Sequence, residues 1–220
     1  MIVTIDGPAG AGKSTIAKML ASELGFDYLD TGAMYRAVAL AGLRNGVHWE
    51  KPDELASLAE RLPIRVQSGR TFLGEEDVSK AVRTENVTEK TRFSANNPAI
   101  RVLMARRQQE LARGKNIVTE GRDQGTAVFP DAECKIYLTA TPEERAKRRV
   151  LEYQKQGETA AYDEILQKIN QRDRSDMNRE IGPLCEPIDA IHVETDNLSI
   201  NDVVKRLVEI VNERAAKNAF

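Results

Sequence analysis

Three observations predict a parallel α/β fold. Short apolar runs alternate with helix-type patterns along the chain, the arrangement expected of βα units. The first run enters a glycine-rich turn that opens onto an amphipathic helix. At 220 residues with 41% hydrophobic content, the chain has the means to bury one substantial core. We therefore expect one compact domain carrying insertions.

Taken in order, the predicted strands are 2–5 (IVTI), 27–30 (DYLD), 116–120 (NIVTE), 134–140 (CKIYLTA) and 190–195 (AIHVET). Helix starts are marked chemically. Thr141 with Glu144, and Ser199 with Asp202, have capping-box spacing; Pro142 takes a first helical position, and Asn97 precedes Pro98 in the same way. Val203, Val204, Leu207, Val208 and Val211 form one apolar stripe on the last helix. Between about 47 and 92 the rhythm breaks: PDELASLAERL reads as a helix, and IRVQSGRTFLGEEDVSKAVRT as short strands around a Ser-Gly turn. This stretch is expected to be an insertion. A second irregular stretch, 154–164, places Gly157 between helical segments without an apolar period, as a flap would. The core then comprises about 1–46, 93–153 and 165–220.

Composition narrows the function classes. A formal charge of -2 argues against a nucleic-acid binder, whose balance is usually basic. Two cysteines, Cys134 and Cys185, lie far apart without metal-ligand spacing, which fits a reducing compartment. The opening MIVTIDG has neither a basic leader nor a long apolar segment, and no window reaches the roughly 18 apolar residues of a membrane helix. The expectation is a soluble, cytoplasmic protein with no membrane association.

Gly7 to Ser14 matches G-x-x-x-x-G-K-[ST] in its required strand–turn–helix setting. Glycine lets successive backbone N–H groups wrap a phosphate, and the following helix adds its positive end. Gly7, Pro8, Ala9, Gly10, Ala11, Gly12, Lys13, Ser14 and Thr15 are thus predicted to bind the phosphates of a nucleotide, ATP or GTP on this motif alone. Lys13 supplies charge to the outer phosphates, and the Ser14 hydroxyl is the predicted ligand of a magnesium ion. The competing reading is a plain glycine turn into a helix.

The motif does not name the acceptor, but the arginines narrow it. Arg122 and Asp123 follow a predicted strand at its carboxyl end, where open α/β sheets bind ligands. Arg145, Arg148 and Arg149 have i, i+3, i+4 spacing and are expected on one helix face beside the flap, either meeting transferring phosphates or forming a solvated face with Glu144 and Glu152. The stripe Ile165, Leu166, Ile169 continues as Arg172, Asp176 and Arg179. A core-type face that turns charged must be paired or ligand-bound, so a ligand site and an ion-pair ladder both stay open.

The segments GPAGAGKST, LDTGAMYRA, EGRDQGTAVFPDA, ERAKRR and RDRSDMNRE occur in the order and spacing of the bacterial cytidylate kinases, which the chain resembles over nearly its whole length. The resemblance implies a P-loop nucleoside monophosphate kinase fold: a five-stranded parallel sheet flanked by helices, a monophosphate-binding insertion matching 47–92 and a short lid matching 154–164. It places CMP contacts on Thr31, Arg36, Arg101, Arg122, Asp123, Arg172, Asp176 and Arg179, with Asp123 accepting from the cytosine amino group and Arg172 and Asp176 reaching the ribose. Thr31 stands where many relatives have serine, and Glu120 where aspartate is frequent. A serine that contacts the base in relatives aligns near Arg92 or Ser94.

The implied reaction is transfer of the ATP γ-phosphoryl group to CMP or dCMP with Mg2+ and without a covalent enzyme intermediate. Lys13, Arg145, Arg148 and Arg149 are the expected catalytic residues, and no histidine base is needed. His192, in a predicted strand, is expected in the core, and Trp49 is expected to anchor the insertion. The rivals are a kinase of another small acceptor (UMP, AMP or shikimate) and a P-loop protein binding RNA or a regulatory partner through its arginine segments. The resemblance also implies a monomer.

Overall fold

The computed structural model describes residues 1–67, 69–155 and 157–217; Ser68 of the expected Ser-Gly turn and Gln156 of the expected flap lie outside them. The main sheet has five strands: β1 (Ile2–Asp6), β2 (Asp27–Asp30), β6 (Ile117–Gly121), β7 (Cys134–Thr139) and β8 (Ile191–Glu194), in the order β2-β6-β1-β7-β8. The expected parallel α/β class with five strands is what forms. The chain divides into two compact units, Met1–Phe26 with Ile117 onward, and Asp27–Asn116.

In the first unit β1 lies between β6 and β7, with Asp6 opposite Gly121 on one side and Tyr137 on the other. Flanked on both sides, β1 is buried along nearly its whole length, and Val3 and Ile5 have no exposure. A parallel strand covered on both faces should be apolar in this way. Helices α1 (Lys13–Leu24) and α8 (Ile200–Lys217) pack on each other. Ile16 and Leu20 of α1, and Val203, Val204, Leu207 and Val211 of α8, are buried as the stripe requires, while Val208 is half-buried. Ser199 caps α8 by accepting from the Asp202 amide at 3.2 Å. Thr141 likewise accepts from the Glu144 amide at 3.3 Å, at the start of α6 (Pro142–Lys155). Helix α7 (Tyr162–Met177) packs on α6 through Ile165 and Ile169 against Ala146.

His192 departs from expectation. On β8, the last strand of the sheet, Val193 is buried while its neighbour His192 points the other way and is exposed, with Nδ1 2.9 Å from Glu186 Oε1.

The second unit contains α2 (Thr31–Arg44), α3 (Pro52–Arg61), an antiparallel sheet of β3 (Ile64–Gln67), β4 (Arg70–Leu73) and β5 (Glu76–Asp77), then α4 (Glu85–Ala95) and α5 (Pro98–Ala112). Its core joins Ala37 and Leu40 of α2 to Val78, Val82 and Val87. Residues 81–83, read as part of the strand region, form a single 3-10 turn instead. Trp49 acts as the expected anchor: its ring lies 5.2 Å from that of Phe93, and it sits so close to Gly42 that a methyl group there would meet the indole at 2.9 Å. Asn97 caps α5, accepting from the Ile100 amide at 3.1 Å.

Candidate active site

The phosphate loop follows from the strand before it. At Gly7 the chain passes so near β7 that a Cβ would stand 1.9 Å from the Leu138 carbonyl oxygen, and φ is 148°; both exclude any side chain. The loop closes at Gly12, whose left-handed φ of 86° turns the backbone into α1. Lys13, the first residue of that helix, is 5% exposed and folds back to donate from Nζ to the Pro8 carbonyl at 2.7 Å. Burial holds its ammonium well below the usual lysine range, and the nearby Arg122 charge adds to this. The charges of Glu120 and Asp6 act the other way, and an ammonium whose acceptor is a neutral carbonyl can exchange it for an anion.

Ser14 donates to Glu120 Oε1 at 2.8 Å. A hydroxyl and a carboxylate side by side at the loop's end are oxygen donors of the kind Mg2+ accepts alongside nucleotide phosphates, so the residues present fit the ion. Among the described residues there is no group of three or more acidic, histidine or cysteine side chains that could hold a metal without a nucleotide.

Beyond β6 the backbone makes one wide helical turn, Gln124–Val128, closed by bonds from Val128 N to Asp123 O and from Phe129 N to Gln124 O. The sequence offered no signal for Asp6, which holds this turn in place. Its carboxylate, fully buried, accepts from the Gln124 amide at 2.8 Å and the Gly125 amide at 2.7 Å. Burial pushes Asp6 up to about 6 despite those two bonds. Immediately before the turn stand Arg122 and the buried Asp123. Arg122 Nε donates to Asp176 Oδ2 at 2.7 Å, while Arg179 donates to the other oxygen of Asp176. Asp176 is 2% exposed. Burial would raise its carboxyl, but the charges of Arg122 and Arg179 overcome this and hold it below the usual range. One carboxylate thus serves two arginines, with the charge of Arg172 also felt there. The charged face of α7 joins an ion-pair cluster of Arg122, Asp176 and Arg179.

The α6 arginines do not share one environment as their spacing suggested. Arg145 turns inward, 3% exposed, donating to Ala9 O and Ala140 O at 2.9 Å each and pairing with Asp173 Oδ2 at 2.7 Å. Arg148 is bound to Glu144 and to the Thr195 hydroxyl and carbonyl. Arg149 is half exposed beside Glu152 at 3.1 Å. A cavity of about 400 Å³ adjoins Pro8, Thr141, Arg145 and Asp173.

In the second unit, Asp30 caps α2 by accepting from the Ala33 amide at 2.9 Å and pairs with Arg83 at 2.7 Å, setting the buried Thr31 at the helix start. Arg36 donates to Thr88 Oγ1 at 2.6 Å. Arg101, 4% exposed, donates to Ala95 O at 3.0 Å with its guanidinium 5.5 Å from the centre of the Tyr35 ring. Ser94 is buried with its hydroxyl donating to the Tyr35 and Thr91 carbonyls. Arg92 is exposed over the Phe93 ring.

Residues 3–213 match the family model described as cytidylate kinase. A cytidylate kinase of Rhodopirellula baltica is 48% identical over 97% of this chain and 93% of its own length. One from Caldanaerobacter subterraneus subsp. tengcongensis is 43% identical over 96% of this chain and 94% of its own. A solved structure of an uncharacterized protein from Eubacterium ventriosum, 14% identical, has a TM-score of 0.53 over 97% of this chain and 98% of that one, a likeness of fold alone. With the phosphate loop and the arginine cluster already in place, these matches make the chain a member of the cytidylate kinase family.

Proposed function

We propose that this protein transfers the γ-phosphoryl group of ATP to CMP or dCMP, giving ADP and CDP or dCDP. The observation carrying this reading is the pair of desolvated cationic centres in the first unit: Lys13 at the phosphate loop, and the Arg122–Asp176–Arg179 ion-pair cluster beyond β6. Membership of the cytidylate kinase family supports the pyrimidine acceptor.

In the proposed reaction an acceptor phosphate oxygen forms the new bond to the γ-phosphorus as the bond to the β-bridging oxygen breaks, and ADP leaves. Residues Gly7 to Thr15 bind ATP, with Lys13 exchanging the Pro8 carbonyl for the outer phosphates. Its charge is strong there because water is excluded. Ser14 and Glu120 would hold Mg2+, which supplies charge neutralisation between the phosphates. Arg122 and Arg179 hold the acceptor phosphate with planar guanidinium forks, while Arg172 and Asp176 reach the ribose and Asp123 reads the cytosine amino group. Thr31, Arg36 and Arg101 are proposed as further CMP contacts. Ser94 has its hydroxyl committed to carbonyls, which favours Arg92 as the residue near the base. Arg148 and Arg149, beside the proposed lid at 154–164, steady the transferring group, and Arg145 acts from beneath the phosphate loop. We propose the stretch 47–92 as the monophosphate-binding insertion and a monomer as the working unit, without nucleic-acid partners. No helix among the described residues is long and apolar enough to cross a membrane.

The test is ADP release from ATP and Mg2+ with CMP, dCMP, UMP, AMP, GMP or shikimate supplied singly. Turnover with CMP and dCMP, and little with UMP, is expected; turnover led by AMP or shikimate would remove Asp123 from base reading.

A further inference from the structure

Helix α7 carries two buried carboxylates three residues apart, and only Asp176 belongs to the arginine cluster. Asp173 faces elsewhere. Its Oδ2 lies 2.7 Å from Arg145, and its Oδ1 is buried without a hydrogen-bond partner among the described residues. Arg145 in turn holds the Ala140 carbonyl, where β7 leads to α6, and the Ala9 carbonyl within the phosphate loop. Two neutral carbonyls cannot balance a desolvated guanidinium; Asp173 does.

The consequence lies in the peptide joining Ala9 to Gly10. A trans peptide is planar, with C=O and N–H on opposite sides. Fixing the Ala9 oxygen on Arg145 therefore aims the Gly10 N–H away from Arg145. In a loop whose binding groups are its backbone N–H donors, the orientation of one peptide plane is part of the site.

We propose that Asp173 is a positioning residue for the phosphate donor, acting through Arg145 on the Ala9–Gly10 peptide. This rests on the phosphate-donor half of the proposed function and not on the identity of the acceptor. Asp173→Asn keeps the side chain's shape and removes its charge, so Arg145 loses its counter-ion and can leave Ala9 O.

The experiment measures ATP affinity by calorimetry, KM for ATP and for CMP, and the melting temperature without ligand, for the natural chain, Asp173→Asn and Asp173→Glu. We expect Asp173→Asn to weaken ATP by about tenfold, by calorimetry and in KM, while KM for CMP changes by less than about twofold. Asp173→Glu should recover much of the loss. Unchanged ATP affinity would overturn the proposal, as would ATP and CMP constants rising together in step with a lower melting temperature. If Asp173→Asn does not fold, Asp173→Ser replaces it, with the same expected rise in the ATP constants alone and the same overturning results. A natural chain that binds ATP but ignores CMP would defeat the acceptor reading and leave the Asp173 measurement standing.

Discussion

Arg145 is buried and Arg179 half-buried in one unit, and they are held differently. Arg145 has three protein partners in three places, and its charge is matched one to one by Asp173. Arg179 and Arg122 both grip Asp176. An arginine tied to the phosphate-loop backbone is part of the scaffold, whereas the pair on Asp176, beyond the carboxyl end of β6, is proposed to meet an arriving anion. The partners of each guanidinium separate the two roles where helical spacing could not.

Arg179→Ala should have the strongest effect on activity. Losing a cation at the acceptor phosphate should lower kcat/KM for CMP on the order of a thousandfold, with ATP affinity nearly intact and the melting temperature little changed. Equal loss of ATP affinity, read by calorimetry, would place Arg179 elsewhere. Arg145→Gln should give the reverse profile. It strands Asp173 as an uncompensated buried charge, and denaturant unfolding should show a stability loss of about 3 kcal/mol. A stable Arg145→Gln with normal ATP binding would erase the distinction.

The smallest effect is expected at Asp6. It tethers the turn that follows Arg122, and its folded-state value of about 6 exceeds the ordinary 3.8. The folded state therefore holds the proton more tightly than the unfolded chain, and this contribution to stability is lost as pH rises through the folded value. Between about pH 4 and about pH 6.5 the natural chain should lose about 2 kcal/mol relative to Asp6→Asn. Two parallel curves would show that Asp6 titrates normally.

Much of this was legible in the sequence because it is local. The phosphate loop, the caps at Thr141, Ser199 and Asn97 and the α8 stripe each occupy a few consecutive turns, where spacing alone fixes who meets whom. Asp6 and Asp173 were invisible for the opposite reason: their partners lie 118 and 28 residues away, and a lone aspartate carries no sign of what it will grip. His192 lies outside the core because an apolar run says that a strand is present without saying which of its faces is covered. Arg145 was grouped with Arg148 and Arg149 because helical spacing gives the face without saying that the face curls under the phosphate loop.

Transfer should depend on the acceptor, so the most direct measurement is the rate of ADP release by the natural chain with Mg2+ and ATP, compared with and without CMP. Release that is slow alone and rises by several orders of magnitude with CMP is the predicted result. Rapid ATP turnover without an acceptor, or no response to CMP, would contradict it.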